Sequence, residues 1–258
     1  MTAPKKSLGQ HWLMDRQILA GIADAAEITP LDTVLEIGPG LGTLTSELLR
    51  RAKKVIAVEL DGELAKKLPG QFPGKALEVI TADILEFNLD VLPKKYIVVA
   101  NVPYYITSKI IKKLLTSDNK PKTTVLLIQK EVAQRLAAKA GDMSILSISA
   151  QIYGEVALDQ MVPAHFFTPP PKVDSQVVVI KTRPQPLIAA QDEKRFFKVV
   201  KAGFSSKRKK LRSSMSAGLN MTKPDTEHML KKAGINPDDR AEALSISQWI
   251  DVMNIVGS

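Results

Sequence analysis

The chain has 258 residues, 45% of them hydrophobic, and a formal charge of +9, enough to bury a sizeable core as one large domain or one domain with a small appendage. It has no cysteine and only three scattered histidines, which excludes disulfides and thiolate metal sites and leaves no metal-ligand spacing, so no metal is expected. No apolar run approaches the roughly 20 residues of a membrane span; the basic start Met1–Gln10 lacks the apolar core of a secretory signal. The expectation is therefore a cytoplasmic protein with a polyanionic partner.

Lys5–Leu13 reads as a basic, irregular arm. Asp15 is placed to cap a helix with apolar residues at Ile18, Leu19, Ile22, Ala25 and Ala26, closed by Pro30. Strands are predicted at Thr33–Ile37, Lys54–Val58, Leu77–Thr81, Tyr96–Ala100 and Thr123–Ile128. Helical segments between and after them (Thr43–Arg51, Asp61–Leu68, Ser108–Leu115, Lys130–Lys139) give the alternation of a parallel, doubly wound sheet. Thr107 is a fair cap for the third of these helices. Strand-like runs at Ser144–Tyr153, Glu155–Met161 and Ser175–Thr182 lack long helices between them and predict an antiparallel edge. The stretch Pro163–Pro171 carries two aromatics and three successive prolines, an extended loop. Arg183–Pro186 reads as a linker, followed by helices at Asp192–Phe204, Lys207–Leu219, Lys223–Lys232 and Ser245–Asn254 with Asp192, Ser206, Thr222 and Ser245 as caps. The expected organisation is an α/β domain over residues 1–183 and a small all-helical domain over 184–258.

Candidate chemistry gathers at the predicted strand ends. Gly38-Pro39-Gly40-Leu41-Gly42 lies between a strand and a helix, where the backbone can approach a ligand closely and a helix N-terminus favours an anion. A dinucleotide fingerprint needs a glycine where Thr43 stands, which counts against NAD. Glu59 ends the second strand, where an acid can accept from both ribose hydroxyls. Asp83 follows the third strand, placed to accept from an adenine amino group, with Ile84 as an apolar neighbour. Together these predict a nucleoside-containing ligand.

Asn101-Val102-Pro103-Tyr104-Tyr105 ends the fourth strand. An exocyclic adenine nitrogen is a poor nucleophile because its lone pair is delocalised into the ring. An asparagine carbonyl and a nearby backbone carbonyl can hold its N–H groups, localise that lone pair and aim it. An aromatic such as Tyr104 can stack on the base, so catalysis is mostly positioning and dipoles. Pro103 shapes the turn, and Tyr105 is expected to be a packing residue. Between Phe196 and Arg212 there are seven basic residues and no acid, which beside such a site predicts a phosphate-contacting surface.

Gly9–Leu13, Glu36–Gly42, Glu59, Asp83, Asn101–Tyr104, Gln129–Arg135, Phe167–Ser175 and Phe204–Leu211 together resemble, in order, the ribosomal RNA adenine dimethyltransferases, and most closely their bacterial small-subunit members. The resemblance covers nearly the whole chain. It implies a Rossmann-like class I methyltransferase sheet, mostly parallel with an antiparallel edge, plus a small all-helical C-terminal domain. It implies S-adenosyl-L-methionine as cofactor, held by His11, Leu13, Gly38, Gly40, Glu59, Asp83, Ile84 and Asn101. Asn101, Pro103, Tyr104 and Phe167 would form the catalytic centre, with Tyr104 and Phe167 on opposite faces of the target base, and Lys207, Arg208, Lys209, Lys210 and Arg212 would bind RNA. The implied partner is small-subunit rRNA in a pre-ribosomal particle, bound by a monomer. His11 stands where asparagine is common, Trp12 for phenylalanine and Val102 for leucine or isoleucine, while Tyr105 occupies a variable position. A large-subunit adenine methyltransferase of the macrolide-resistance type remains open, as does a non-catalytic RNA-binding assembly or transcription factor on the same fold; a dehydrogenase is the weakest reading.

Overall fold

The structure is a computed structural model describing residues 4–5 and 8–256; Lys6 and Ser7 of the expected N-terminal arm lie outside the described residues. In chain order the elements are β1 (Trp12–Leu13), α1 (Arg16–Asp24), β2 (Thr33–Ile37), α2 (Thr43–Leu48), β3 (Lys54–Glu59), α3 (Gly62–Gln71), β4 (Leu77–Thr81) and β5 (Ile97–Asn101). There follow α4 (Thr107–Thr116), β6 (Thr123–Gln129), α5 (Lys130–Leu136), α6 (Ile145–Gln151), β7 (Gly154–Val162), β8 (Phe167–Thr168) and β9 (Ser175–Thr182). The chain ends in α7 (Glu193–Phe204), α8 (Leu211–Leu219), α9 (Lys223–Lys232) and α10 (Ile246–Val256). It divides into two compact units, Met1–Gln134 with Gly154–Arg183, and Arg135–Tyr153 with Pro184–Ser258.

The first unit is built on a seven-stranded sheet of order β4-β3-β2-β5-β6-β9-β7. Strands β2 to β6 run parallel, and β9 and β7 add the expected antiparallel edge. Buried on both faces, the inner parallel strands β2, β3, β5 and β6 read as largely apolar runs; Ile97, Val98, Val99 and Ala100 are all 0% exposed. Fully burying a side chain of this size is worth about 1.5–3 kcal/mol, so these strands hold the sheet. Strand order reverses between β2, which pairs outward with β3, and its other neighbour β5. The carboxyl ends of strands at such a reversal leave a crevice between diverging loops. The glycine turn after β2 and Asn101 at the end of β5 therefore become neighbours.

The arm and the proline loop are less irregular than expected. Trp12 pairs with Thr168 and Leu13 with Phe167 in a short antiparallel ladder. Asp15 caps α1 as predicted, its Oδ1 accepting from the amides of Gln17 and Ile18 at 3.0 Å. Thr107 is already the first residue of α4; Ile106 occupies the cap position, and Thr107 Oγ1 donates back to the Pro103 carbonyl at 3.4 Å.

The second unit is helical. Its largest difference from expectation is Ser144–Tyr153, predicted as a strand and found as α6. The serines decide it: Ser144 Oγ accepts from the Ser147 amide at 3.2 Å while Ser147 Oγ accepts from the Ser144 amide at 2.7 Å. That capping box satisfies amides that alternating apolar residues alone would have left to a ladder. Residues 135–153, expected with the first domain, thus cluster with the C-terminal helices. The predicted helix over 207–219 begins only at Leu211. Four successive cations precede it, and the first helical amides find partners elsewhere: Leu211 N–H donates to the Asp239 carbonyl at 2.8 Å and Arg212 N–H to that of Pro237 at 3.2 Å. Phe196, Val199, Met215, Leu230 and Trp249 form the buried centre of this unit, each 0% exposed.

Candidate cofactor and base-binding cleft

A cleft opens at the carboxyl ends of β2, β3, β4 and β5, walled on one side by the segment Leu8–Leu13. Its first wall is the glycine turn after β2. Gly38, Gly40 and Gly42 all have positive φ, at 67°, 57° and 79°, a region that costs other L-residues roughly 1–2 kcal/mol. Gly42 is needed twice over, since a Cβ there would stand 2.6 Å from Leu68 Cδ1. At Gly38 the added Cβ would meet nothing within 4 Å, so the turn presents bare backbone to open space.

Glu59 is 5% exposed and fixed by backbone. Its Oε2 accepts from the Gly40 amide at 3.0 Å and its Oε1 from the Asp61 amide at 2.9 Å. An ionised carboxylate has about four acceptor positions, so one lone pair on each oxygen remains for a ligand hydroxyl. Asp83 is held similarly, Oδ1 accepting from the Leu85 amide at 2.8 Å, and buried Ile84 lines the cleft beside it. Trp12 contributes a feature the sequence did not announce: its indole Nε1 is buried with no partner, 3.6 Å from where a Gly40 Cβ would lie. An unpaired buried donor costs about 1–3 kcal/mol, and an acceptor bound on the glycine turn would relieve it. These groups fit a nucleoside cofactor with an anionic tail.

At the other wall, Asn101 Nδ2 donates to the His11 carbonyl at 3.1 Å. That bond fixes the carboxamide of a residue that lines the cleft and leaves Oδ1 without a protein partner among the described residues. The His11 ring lies nearly parallel to that of Tyr104, centroids 5.8 Å apart at 19°. Its Nδ1 is 2.7 Å from the Pro169 carbonyl; since a carbonyl only accepts, Nδ1 carries hydrogen. The Tyr104 hydroxyl shares a 2.6 Å hydrogen bond with Ser175 Oγ at the start of β9, and burial raises its pKa. Pro103 accepts from the Ile106 amide at 3.3 Å, closing the 3-10 turn Tyr104–Ile106. Leu13 is 2% exposed, and its carbonyl accepts from Thr43 Oγ1 at 2.9 Å.

Two expectations change. Phe167 is 2% exposed and belongs to the core cluster with Leu13 and Val162, away from the cleft lining. Alternation along β8 turns it inward, and Phe166, 36% exposed and packed on His165 at 4.4 Å, is the ring that reaches the surface. Its placement does not support a stacking role. Tyr105, expected as packing, is 63% exposed at the cleft mouth.

Glu36 has a place in the site that its motif alone does not assign. It lines the cleft while only 1% exposed. Burial, opposed by a 2.6 Å hydrogen bond from Thr45 and assisted by the charge of Glu59, pushes its pKa up to about 8. The signal was legible: a charged residue inside the apolar run Thr33–Ile37. In the second unit the basic run is not uniform. Lys210 pairs with Asp238 at 2.8 Å, and Arg212 with Glu227 at 3.1 Å and Asp238 at 3.3 Å. Lys207, Arg208 and Lys209 are exposed and make no ion pair among the described residues.

The family model described as "Ribosomal RNA adenine dimethylase" matches residues 1–257. The chain belongs to the ribosomal RNA adenine dimethylase family. A family relative named "Ribosomal RNA small subunit methyltransferase A" from Dehalococcoides mccartyi strain CBDB1 is 43% identical, covering 95% of this chain and 86% of its own. A relative of the same name from Bacillus cytotoxicus is 42% identical over 97% of this chain and 90% of its own. Among solved structures, the 23S rRNA methyltransferase ErmE is 29% identical with a TM-score of 0.80, covering 96% of this chain and all of that one. A dimethyladenosine transferase from Plasmodium falciparum is 30% identical with a TM-score of 0.79, covering 94% and 96%. As in other dimethylases, the fold is that of a methyltransferase with a mixed, mostly parallel sheet.

Proposed function

We propose that this dimethylase transfers methyl groups from S-adenosylmethionine to N6 of two adjacent adenosines near the 3′ end of small-subunit rRNA, giving N6,N6-dimethyladenosine. Relatives above 40% identity over nearly the full chain carry the small-subunit name, against 29% for the large-subunit enzyme. The observation that carries the chemistry is Asn101: it lines the cleft, its Nδ2 is tied to the His11 carbonyl, and its Oδ1 has no protein partner among the described residues, which supports a role as acceptor for a ligand.

When bound, S-adenosylmethionine supplies the electrophilic methyl group. The glycine turn and Trp12 Nε1 would take its anionic end, Glu59 its ribose, and Asp83 with Ile84 its adenine, with Leu13 and His11 closing the near wall. Asn101 Oδ1 accepts a hydrogen bond from the target amino group, which localises the nitrogen lone pair and aims it. Tyr104, pinned by Ser175 and backed by His11, offers a rigid ring for the target base. No general base is needed in the cleft, because the amino proton becomes acidic once the nitrogen is alkylated. Pre-set dipoles of this kind act without reorganising at the moment of reaction. The exposed cations Lys207–Lys209, with Lys210 and Arg212 behind their ion pairs, would contact phosphates. We further propose that the protein works as a monomer on a pre-ribosomal particle in the cytoplasm; among the described residues no helix is long and apolar enough to cross a membrane.

The test uses labelled S-adenosylmethionine with separated, under-methylated ribosomal subunits and identifies the modified nucleoside after digestion. N6,N6-dimethyladenosine in the small subunit is expected, with Asn101→Ala slowing methyl transfer by about 100- to 1,000-fold, as for loss of one preorganised polar contact. Label in the large subunit alone would refute the substrate. An unimpaired Asn101→Ala variant would refute the role of Asn101.

A further inference from the structure

Two consecutive tyrosines follow Pro103, and the fold treats them oppositely. Tyr104 is turned in, with its hydroxyl on Ser175. Tyr105 is 63% exposed at the mouth of the cleft. Its ring lies close to the Gly9 backbone, where a Cβ would stand 3.4 Å from Cδ1 and Cε1. A tyrosine ring supported by backbone and open to solvent is a ready stacking surface.

The 3-10 turn that holds Tyr105 runs directly into α4. Tyr105, Lys109 and Lys112 recur at i, i+4 and i+7, the spacing of one helical face. Both lysines are exposed and make no ion pair among the described residues, and α4 contains no acid to neutralise them. Lys113 differs: it reaches back to donate to the Leu85 carbonyl at 2.7 Å. The outcome is a ridge that begins with an exposed aromatic at the cleft mouth and continues as two bare cations, spanning about 10 Å at 1.5 Å per residue. Aromatic rings interleaved with cations are how proteins hold single strands, the ring taking a base and the cations the phosphates.

We propose that the Tyr105–Lys109–Lys112 ridge docks the single-stranded RNA that flanks the target adenosine. Tyr105 stacks on the base next to the one in the cleft, and Lys109 and Lys112 contact its phosphates. The proposal rests on the adenine-methylation reading above and adds to it a second RNA-contacting surface, in the cofactor-binding unit itself. It also gives Tyr105 a task distinct from that of Tyr104.

The test is fluorescence anisotropy of a short, adenosine-containing single-stranded RNA with the full chain, together with the KM for under-methylated small subunits. Tyr105→Ala should weaken RNA binding at least about fivefold, the low end for a lost base–aromatic stack, and Tyr105→Trp should restore it. Lys109→Gln with Lys112→Gln should flatten the dependence of log K on log salt by about 1.4, at roughly 0.7 per single-strand phosphate. Calorimetric affinity for S-adenosylmethionine should stay at the parental value in every variant, which a merely structural defect would not allow. Parental RNA affinity in Tyr105→Ala, or an unchanged salt slope in the double variant, overturns the proposal. If the parent methylates small subunits and the variants do so with parental KM, the ridge fails alone. If the parent binds RNA through the ridge but methylates neither subunit, the methylation reading fails and the ridge stands.

Discussion

Glu36→Gln removes a buried carboxyl while keeping its shape and an acceptor for Thr45. In the folded protein Glu36 is 1% exposed, and burial raises its pKa from an ordinary 4.5 to about 8, the Thr45 hydrogen bond opposing and Glu59 adding to the rise. The folded chain therefore holds a proton that the unfolded chain releases. Stability from this group is fully present below pH 4.5, falls as pH rises, and is lost on passing about 8. The slope is about 1.4 kcal/mol per pH unit, so between pH 5 and 7 the parent loses about 3 kcal/mol through this one group. Glutamine does not titrate, so the stability of the variant relative to the parent should rise by about 3 kcal/mol over that interval. Urea unfolding at pH 5, 6 and 7 measures it, followed by the fluorescence of Trp12 in a Trp249→Phe background so that only the cofactor-binding unit is read. A difference between variant and parent that stays constant across the series refutes the reasoning, because Glu36 would then be ionised in the fold at every pH tested.

The remaining predictions concern the basic run and Phe167. Lys207→Gln, Arg208→Gln and Lys209→Gln together should lower the slope of log K for RNA against log salt by about 2, at roughly 0.7 per single-strand phosphate. Lys210→Gln with Arg212→Gln should lower it by less per charge, since Asp238 and Glu227 already hold those cations; equal effects per charge would contradict the split. Phe167→Ala should cost about 3–5 kcal/mol in urea unfolding, as for a core aromatic. Phe167→Leu should keep the parental KM for small subunits, whereas a stacking role would raise it.

Much of the cleft was legible because its residues sit at the ends of apolar runs. Glycines, Glu59, Asp83 and Asn101 each punctuate a strand, and a parallel sheet with reversed strand order brings such ends together. Spacing along the chain could not say which side chain of a pair turns in. Phe166 and Phe167 are equivalent by composition, as are Tyr104 and Tyr105. For the first pair the β1–β8 ladder decides, placing Phe167 opposite Leu13. For the second, the 3-10 turn after Pro103 sends Tyr104 to Ser175 and leaves Tyr105 in solvent.

The same limit applies to secondary structure. The run Ser144–Tyr153 alternates well enough to pass for a strand, and only its serine capping box makes α6. The basic stretch is expected to open a helix at Lys207 and to act as one phosphate-contacting surface; the structure leaves Lys207–Lys209 before α8, outside its hydrogen-bonded turns, and pairs Lys210 and Arg212 with acids more than a dozen residues away.

The sequence by itself determined the α/β class, the sheet with its antiparallel edge, and which chemical groups stand at the strand ends that line the cleft, because burial period and strand punctuation are local properties of the chain. The tertiary structure alone decided what those groups are free to do. Glu59 is held by the amide of Gly40, 19 residues back, as well as by that of nearby Asp61, Asn101 is fixed because the His11 carbonyl takes its amide, and the Glu36 pKa is pushed up because the sheet buries it. Hydrogen-bond partners and desolvation are set by residues far away in sequence, and no spacing rule carries them.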